Sequence, residues 1–60
     1  MTIIEPVPLI NALTKQEEVI HSGVECVIII EDGEVFLKTN FGKYKLSREA
    51  ILNNRKYFSN

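Results

Sequence analysis

Val24–Leu46 reads VECVIIIEDGEVFLKTNFGKYKL, and the fold follows from how this stretch is parsed. It predicts a three-stranded antiparallel meander: Val24–Ile30, Val35–Thr39 and Lys43–Leu46. Asp32-Gly33 joins the first two strands. A type I′ turn needs φ > 0 at both central residues, and Asp-Gly supplies that at low cost. Asn40-Phe41-Gly42 reads as a three-residue second loop, with Gly42 as its left-handed residue. The first turn pairs Glu31 with Glu34, Ile30 with Val35, Ile29 with Phe36, Ile28 with Leu37 and Val27 with Lys38. The second pairs Thr39 with Lys43, Lys38 with Tyr44, Leu37 with Lys45 and Phe36 with Leu46. Alternation then collects Val27, Ile29, Phe36, Tyr44 and Leu46 on one face. Ile28, Ile30, Val35 and Leu37 fall on the other, with Lys43 and Lys45 at its third strand. A one-residue slip in the second hairpin would set lysines against Phe36.

The run Val27–Ile30 is apolar without alternation, which is the pattern of a strand covered on both sides. A helix covers one face. The second face therefore needs another cover: the N-terminal segment, a second copy of the chain or a different protein.

The flanks supply the helices. Ser47 is a good N-cap, Leu46 can staple onto Ile51, and Ala50, Ile51, Asn54, Tyr57 and Phe58 fall on one side of a helix over residues 47–58. Asn53-Asn54 weakens its centre. Residues 1–12 read as an extended apolar arm, because Pro6 and Pro8 disfavour helix. Thr14-Lys15-Gln16-Glu17 fits a capping box and Gly23 a helix C-terminus, which predicts a short helix over residues 15–22. The competing reading is a strand through Glu18–Ser22 that turns at Gly23. The expected fold is thus α+β: one small domain over residues 1–60, a meander over 24–46, a C-terminal helix packed on one face, and a short N-terminal helix or extended arm. Ile29, Phe36, Leu46, Ile51 and Phe58 are its expected core.

Sixty residues bury only ~60% of their unfolded surface, and chains this small are usually reinforced by disulfides, metal or association. Cys26 is the only cysteine and His21 the only histidine. They offer neither an internal disulfide nor a Cys/His zinc site. Cys26 reads as a small buried hydrophobe and His21 as a surface residue. Glu31, Asp32 and Glu34 cluster at a tight turn without the spacing of a calcium loop. No nucleophile–base pair, phosphate loop or catalytic motif is present, so no catalytic, cofactor or metal residue is assigned and the chain reads as a non-enzyme. No apolar run reaches the ~20 residues of a membrane span and no signal peptide opens the chain, so a cytoplasmic protein with no membrane partner is expected.

Charge is lopsided. Residues 1–37 hold one base, Lys15, against seven acids, and residues 38–60 hold six bases against Glu49 alone. The acidic turn and the basic turn are expected at opposite ends of the sheet. In size, apolar surplus and single small sheet, the chain resembles the accessory proteins of bacteriophages and mobile elements, a likeness of type that no motif carries. The function expected is a non-catalytic protein-interaction module: a homodimer, or a regulator or inhibitor docking on a larger protein. Ile28, Ile30, Val35, Leu37 and Lys45 would form its interface. The alternative is nucleic-acid binding through Lys38, Phe41, Lys43, Tyr44 and Arg48, which join base and aromatic near a hairpin tip. The overall acidity opposes it.

Overall fold

The structure is a computed structural model that describes residues 1–60. Half of the residues lie in strands, which form a five-stranded and a two-stranded sheet beside two short helices. This overturns the expected α+β meander with one C-terminal helix. The elements are β1 (Thr2–Ile3), β2 (Val7–Asn11), β3 (Glu17–Ile20), β4 (Val27–Glu31), β5 (Glu34–Thr39), β6 (Gly42–Leu46), α1 (Arg48–Leu52), α2 (Asn54–Tyr57) and β7 (Phe58–Ser59). The larger sheet is antiparallel with order β3-β2-β6-β5-β4, and β1 pairs with β7.

The meander is therefore only part of its sheet. The segment expected as a loose arm supplies the central strand β2, which pairs Leu9 with Leu46 on one side and Val7 with Ile20 on the other. Pro8 is tolerated inside this strand for a geometric reason. A strand residue's N–H and C=O point to the same side, and the Pro8 carbonyl accepts from the Ser47 hydroxyl, where β6 has already ended. The missing N–H thus faces no ladder partner.

The helix expected over 15–22 is the strand β3. Thr14 does use its hydroxyl as an acceptor, but for the N–H of Gln16 at 3.3 Å, inside a turn. Asn11 organises that turn: its side-chain oxygen accepts from the N–H groups of Leu13 (2.8 Å) and Thr14 (3.1 Å). Lys15 adopts φ = +67° to close it. Such local side-chain bonds compete directly with helix initiation. Strand pairing to Val7–Ile10 then wins, because it buries Ile20.

The Asp32-Gly33 hairpin has the expected register, from Val27 opposite Lys38 to Glu31 opposite Glu34. Asp32 has φ = +50° and Gly33 φ = +78°. A Cβ added at Gly33 would meet no atom within 4 Å, so only backbone strain opposes substitution there. Gly33→Val is expected to cost on the order of 1–3 kcal/mol and to lower the melting temperature accordingly. An unchanged melting curve would rule out the left-handed pair at this turn.

The second hairpin departs from expectation. Thr39 faces Gly42 and Leu37 faces Tyr44, so the loop is the two residues Asn40-Phe41. The Thr39 hydroxyl accepts from the Phe41 N–H at 3.0 Å and donates to the Gly42 carbonyl at 3.2 Å. One residue fewer in the loop moves every side chain of β6 to the opposite face. Tyr44 and Leu46 join Leu37 and Ile28, while Lys43 and Lys45 join Phe36. The lysine ammoniums lie 4.7 Å and 5.7 Å from the Phe36 ring centroid. Phe36 is thus a half-buried outer-face residue roofed by cations rather than a core residue.

The core lies on the other face. Val7, Leu9, Ile20, Leu37 and Tyr44 line it from the sheet. Ile3, Val24, Cys26, Ala50 and Tyr57 cover them. None of the five core residues expected from sequence is fully buried: Leu46 and Phe58 pack at its margin and Ile51 is exposed. The C-terminal helix is broken. Ser47 does cap it, accepting from the Ala50 N–H at 3.2 Å. At Asn53 the backbone leaves helical geometry (φ −126°, ψ 41°), and its amide reaches back to Glu49. The chain ends as β7, with Phe58 opposite Ile3. β1 has a second neighbour: the Ile3 N–H donates to Val24 at 2.9 Å and the Gly23 N–H to Ile3 at 2.7 Å.

Candidate functional site

Cys26 and His21 take the places expected of them. Cys26 is a free, buried thiol, and burial pushes its pKa up, away from the reactive thiolate. His21 is exposed, with its ring edge-on to Phe41 at 5.7 Å between centroids. No group of three or more His, Cys, Asp or Glu side chains converges as a metal site would require. Every buried side-chain polar atom has a hydrogen-bond partner, so no orphaned group marks a ligand position. No helix is long and apolar enough to cross a membrane.

The two tyrosines that are buried both donate to glutamates. Tyr44 reaches Glu18 at 3.2 Å and Tyr57 reaches Glu49 at 2.8 Å. Burial, then the Glu18 carboxylate, raises the Tyr44 pKa; for Tyr57 the bond to Glu49 leads and burial follows. Both phenols lie above their ordinary value of 10.0 in the folded state. Their contribution is complete below that value and is lost as pH rises through the folded-state pKa values. The melting temperature is therefore expected to fall in the alkaline range as tyrosinate absorbance grows. Tyr57→Phe should weaken that dependence; an identical alkaline profile in the variant would remove Tyr57 from this role.

The basic cluster expected to meet nucleic acid is not assembled on one surface. Lys38 and Lys43 are cross-strand partners on the outer face. Tyr44 is on the inner face and buried, so its ring is closed to stacking. Arg48 lies beyond the far end of β6 from Phe41. Lys43 binds Glu31 at 2.6 Å and Lys45 binds Glu34, so two lysines are already neutralised. The Lys45 bond holds the Glu34 carboxyl below its ordinary pKa. These pairs tie the basic strand to the acidic turn that sequence reading set at opposite ends.

The residues expected to form an interface divide. Leu37 is 1% exposed and belongs to the core. Lys45 is on the outer face with its ion pair, not at the rim of the inner face. Ile28, Ile30 and Val35 do remain open, at 56%, 71% and 49% exposure, and Val27 on the outer face is 63% exposed. Ile28 and Val35 also line a groove of about 340 Å³, together with Met1, Leu37, Leu46, Arg55 and Phe58. The β4–β5 hairpin thus extends past the part of the sheet that the N- and C-terminal segments cover.

β4 is also an edge of the sheet. Edge strands are normally guarded by charge, proline or bulges. The other edge, β3, carries Glu17 and Glu18. Between Val27 and Ile30 the β4 edge carries no charge and no proline. Sequence reading missed this because an unalternating apolar run looks like a fully covered strand. Here Val27, Ile28 and Ile30 are exposed and only Ile29 is half-buried.

Searches of protein-family models, curated proteins and solved structures find no match to this chain or its fold.

Proposed function

We propose that this chain is a non-catalytic protein-interaction module, and that its contact surface is the β4–β5 hairpin with Ile28, Ile30 and Val35 at its centre. The supporting observation is the largely exposed apolar run Val27–Ile30 of the edge strand β4, which carries charge only at its last residue, Glu31, in a chain whose other edge is guarded. Burying these side chains on a partner gains ~1.5–3 kcal/mol each before the cost of association. A protein partner fits this surface better than nucleic acid, which would need the cations that Glu31 and Glu34 already hold. A cytoplasmic setting accords with the single unpaired thiol.

The test compares wild type with Ile30→Lys and with Leu52→Lys, a control at an equally exposed helix position. Solution mass and capture of host proteins are measured for all three. Ile30→Lys is expected to lose association while keeping its melting temperature, and Leu52→Lys to behave as wild type. Equal association by all three proteins would overturn the proposal.

A further inference from the structure

Resting on that reading, we infer that the occupant of the β4 edge is a second copy of this chain, paired antiparallel through β4 about a two-fold axis at Ile29. Hydrogen-bonded and non-bonded pairs alternate along an antiparallel ladder, starting from the bonded pair that flanks a two-residue turn. Glu31, Ile29 and Val27 therefore direct their N–H and C=O groups to β5, and Ile28 and Ile30 direct theirs to the open edge. No backbone hydrogen bond from elsewhere in the chain reaches Ile28 or Ile30.

This edge is self-complementary. The two outward residues are both isoleucine and lie symmetrically about Ile29. A two-fold axis there sets Ile28 against Ile30 of the second copy and Ile30 against its Ile28, each as a bonded pair. All four outward residues are then paired, and the inner faces stay on one side of a continuous sheet. Centring the axis on Ile30 instead would put Ile28 against the Asp32 turn of the second copy. Centring it on Ile28 would carry the pairing past Val27 to the buried Cys26.

Charge favours the same register. Val27 faces Lys38 within the chain and would face Glu31 of the second copy across the axis. Lys38 and that Glu31 then share the outer face, two strand spacings apart, or about 10 Å between Cα atoms. Their side chains can span this over Val27. Lys38 is exposed and makes no ion pair within the chain. In the symmetric dimer the second carboxylate oxygen of that Glu31, whose first oxygen is held by its own Lys43, meets Lys38, twice over.

Sedimentation across a concentration series is the first measurement, and wild type is expected to shift from monomer to dimer. Ile28→Pro removes an N–H that faces only the open edge, so it should abolish the dimer and spare the chain's own ladder. Lys38→Glu, at an exposed position, should raise the dimer dissociation constant and reverse the salt dependence of association. The register is read by oxidation in a Cys26→Ala background. Ile29→Cys sits at the non-bonded pair on the axis and should form a disulfide-linked dimer readily, whereas Val27→Cys and Glu31→Cys should not. A monomer at every concentration, or cross-linking at Val27 or Glu31 in preference to Ile29, overturns the inference. If the monomer still loses host-protein capture on Ile30→Lys, the docking surface stands without the second copy. If a dimer persists in Ile28→Pro, Lys38→Glu and Ile30→Lys alike, both the inference and the docking surface fail.

Discussion

Leu37→Asp is expected to leave the protein unfolded at every concentration. Leu37 is 1% exposed, has Ile28 and Tyr44 as its cross-strand neighbours, and lies in the core cluster with Leu9 and Ala50. Truncation of such a leucine to alanine costs ~2–5 kcal/mol by itself. A carboxylate in the same place adds several more, since a site only 1% exposed strips it of water. Small domains have on the order of 5–15 kcal/mol in total, and one of this size belongs near the lower end. Far-UV circular dichroism should show the loss of strand signal. Phe36→Ala is the contrast. A core phenylalanine would cost ~3–5 kcal/mol, but this ring is half-buried on the outer face, so a smaller loss is expected. If Leu37→Asp instead melted cooperatively and changed only the solution mass, Leu37 would be an interface residue and this description of the core would be wrong.

Ile3→Ala is the second large effect, at ~2–5 kcal/mol, from a residue in a strand of only two. Its side chain is fully buried. Its backbone is bonded on one side to Val24 and Gly23, and its Cα partner on the other is Phe58. β1 therefore joins the segment before β4 to the C-terminal strand β7, and closes the end of the core that holds Cys26 and Tyr57. Loss of packing at Ile3 should loosen all three segments together, so hydrogen exchange at Val24, Cys26 and Phe58 should accelerate in step with the fall in melting temperature. Val27→Ala, at an exposed position, should change stability by no more than ~0.5 kcal/mol. Melting of Ile3→Ala that matches wild type in dilute solution would mean that the N-terminal residues pack elsewhere than on their own chain.

Leu37 also shows how much of the candidate site could be read in advance. Its grouping with Ile28, Ile30 and Val35 follows from the Asp32-Gly33 turn, and all four do share a face. That this face is the core face, with one end filled and the other open, depends on β2 lying beside β6. Val7 and Leu9 are far from Leu37 in sequence, and the pattern around Pro6 and Pro8 argues for an extended arm without saying what it pairs with. Ile28, Ile30 and Val35 are exposed on that face, whereas Leu37 is in the core and Lys45 is on the outer face because the second hairpin has one loop residue fewer than the sequence predicts.

The sequence by itself determined the features that close locally. Asp32-Gly33 sets the first hairpin because two positive φ angles are needed within two residues. Ser47 caps α1 because its hydroxyl reaches an N–H three residues on. The tertiary structure decided what local energies leave nearly level. Loops of two or three residues after Thr39 differ little in their own energy, yet they present opposite faces of β6; the choice was made by the core with Leu9 and Val7, which takes in Tyr44 and Leu37, sets Leu46 at its margin and sends the lysines outward. Residues 17–20 carry both helical and extended tendencies, and the waiting ladder of Val7–Ile10 selected the strand. The openness of β4 is likewise invisible along the chain, because an apolar run has the same composition whether or not another strand lies beside it.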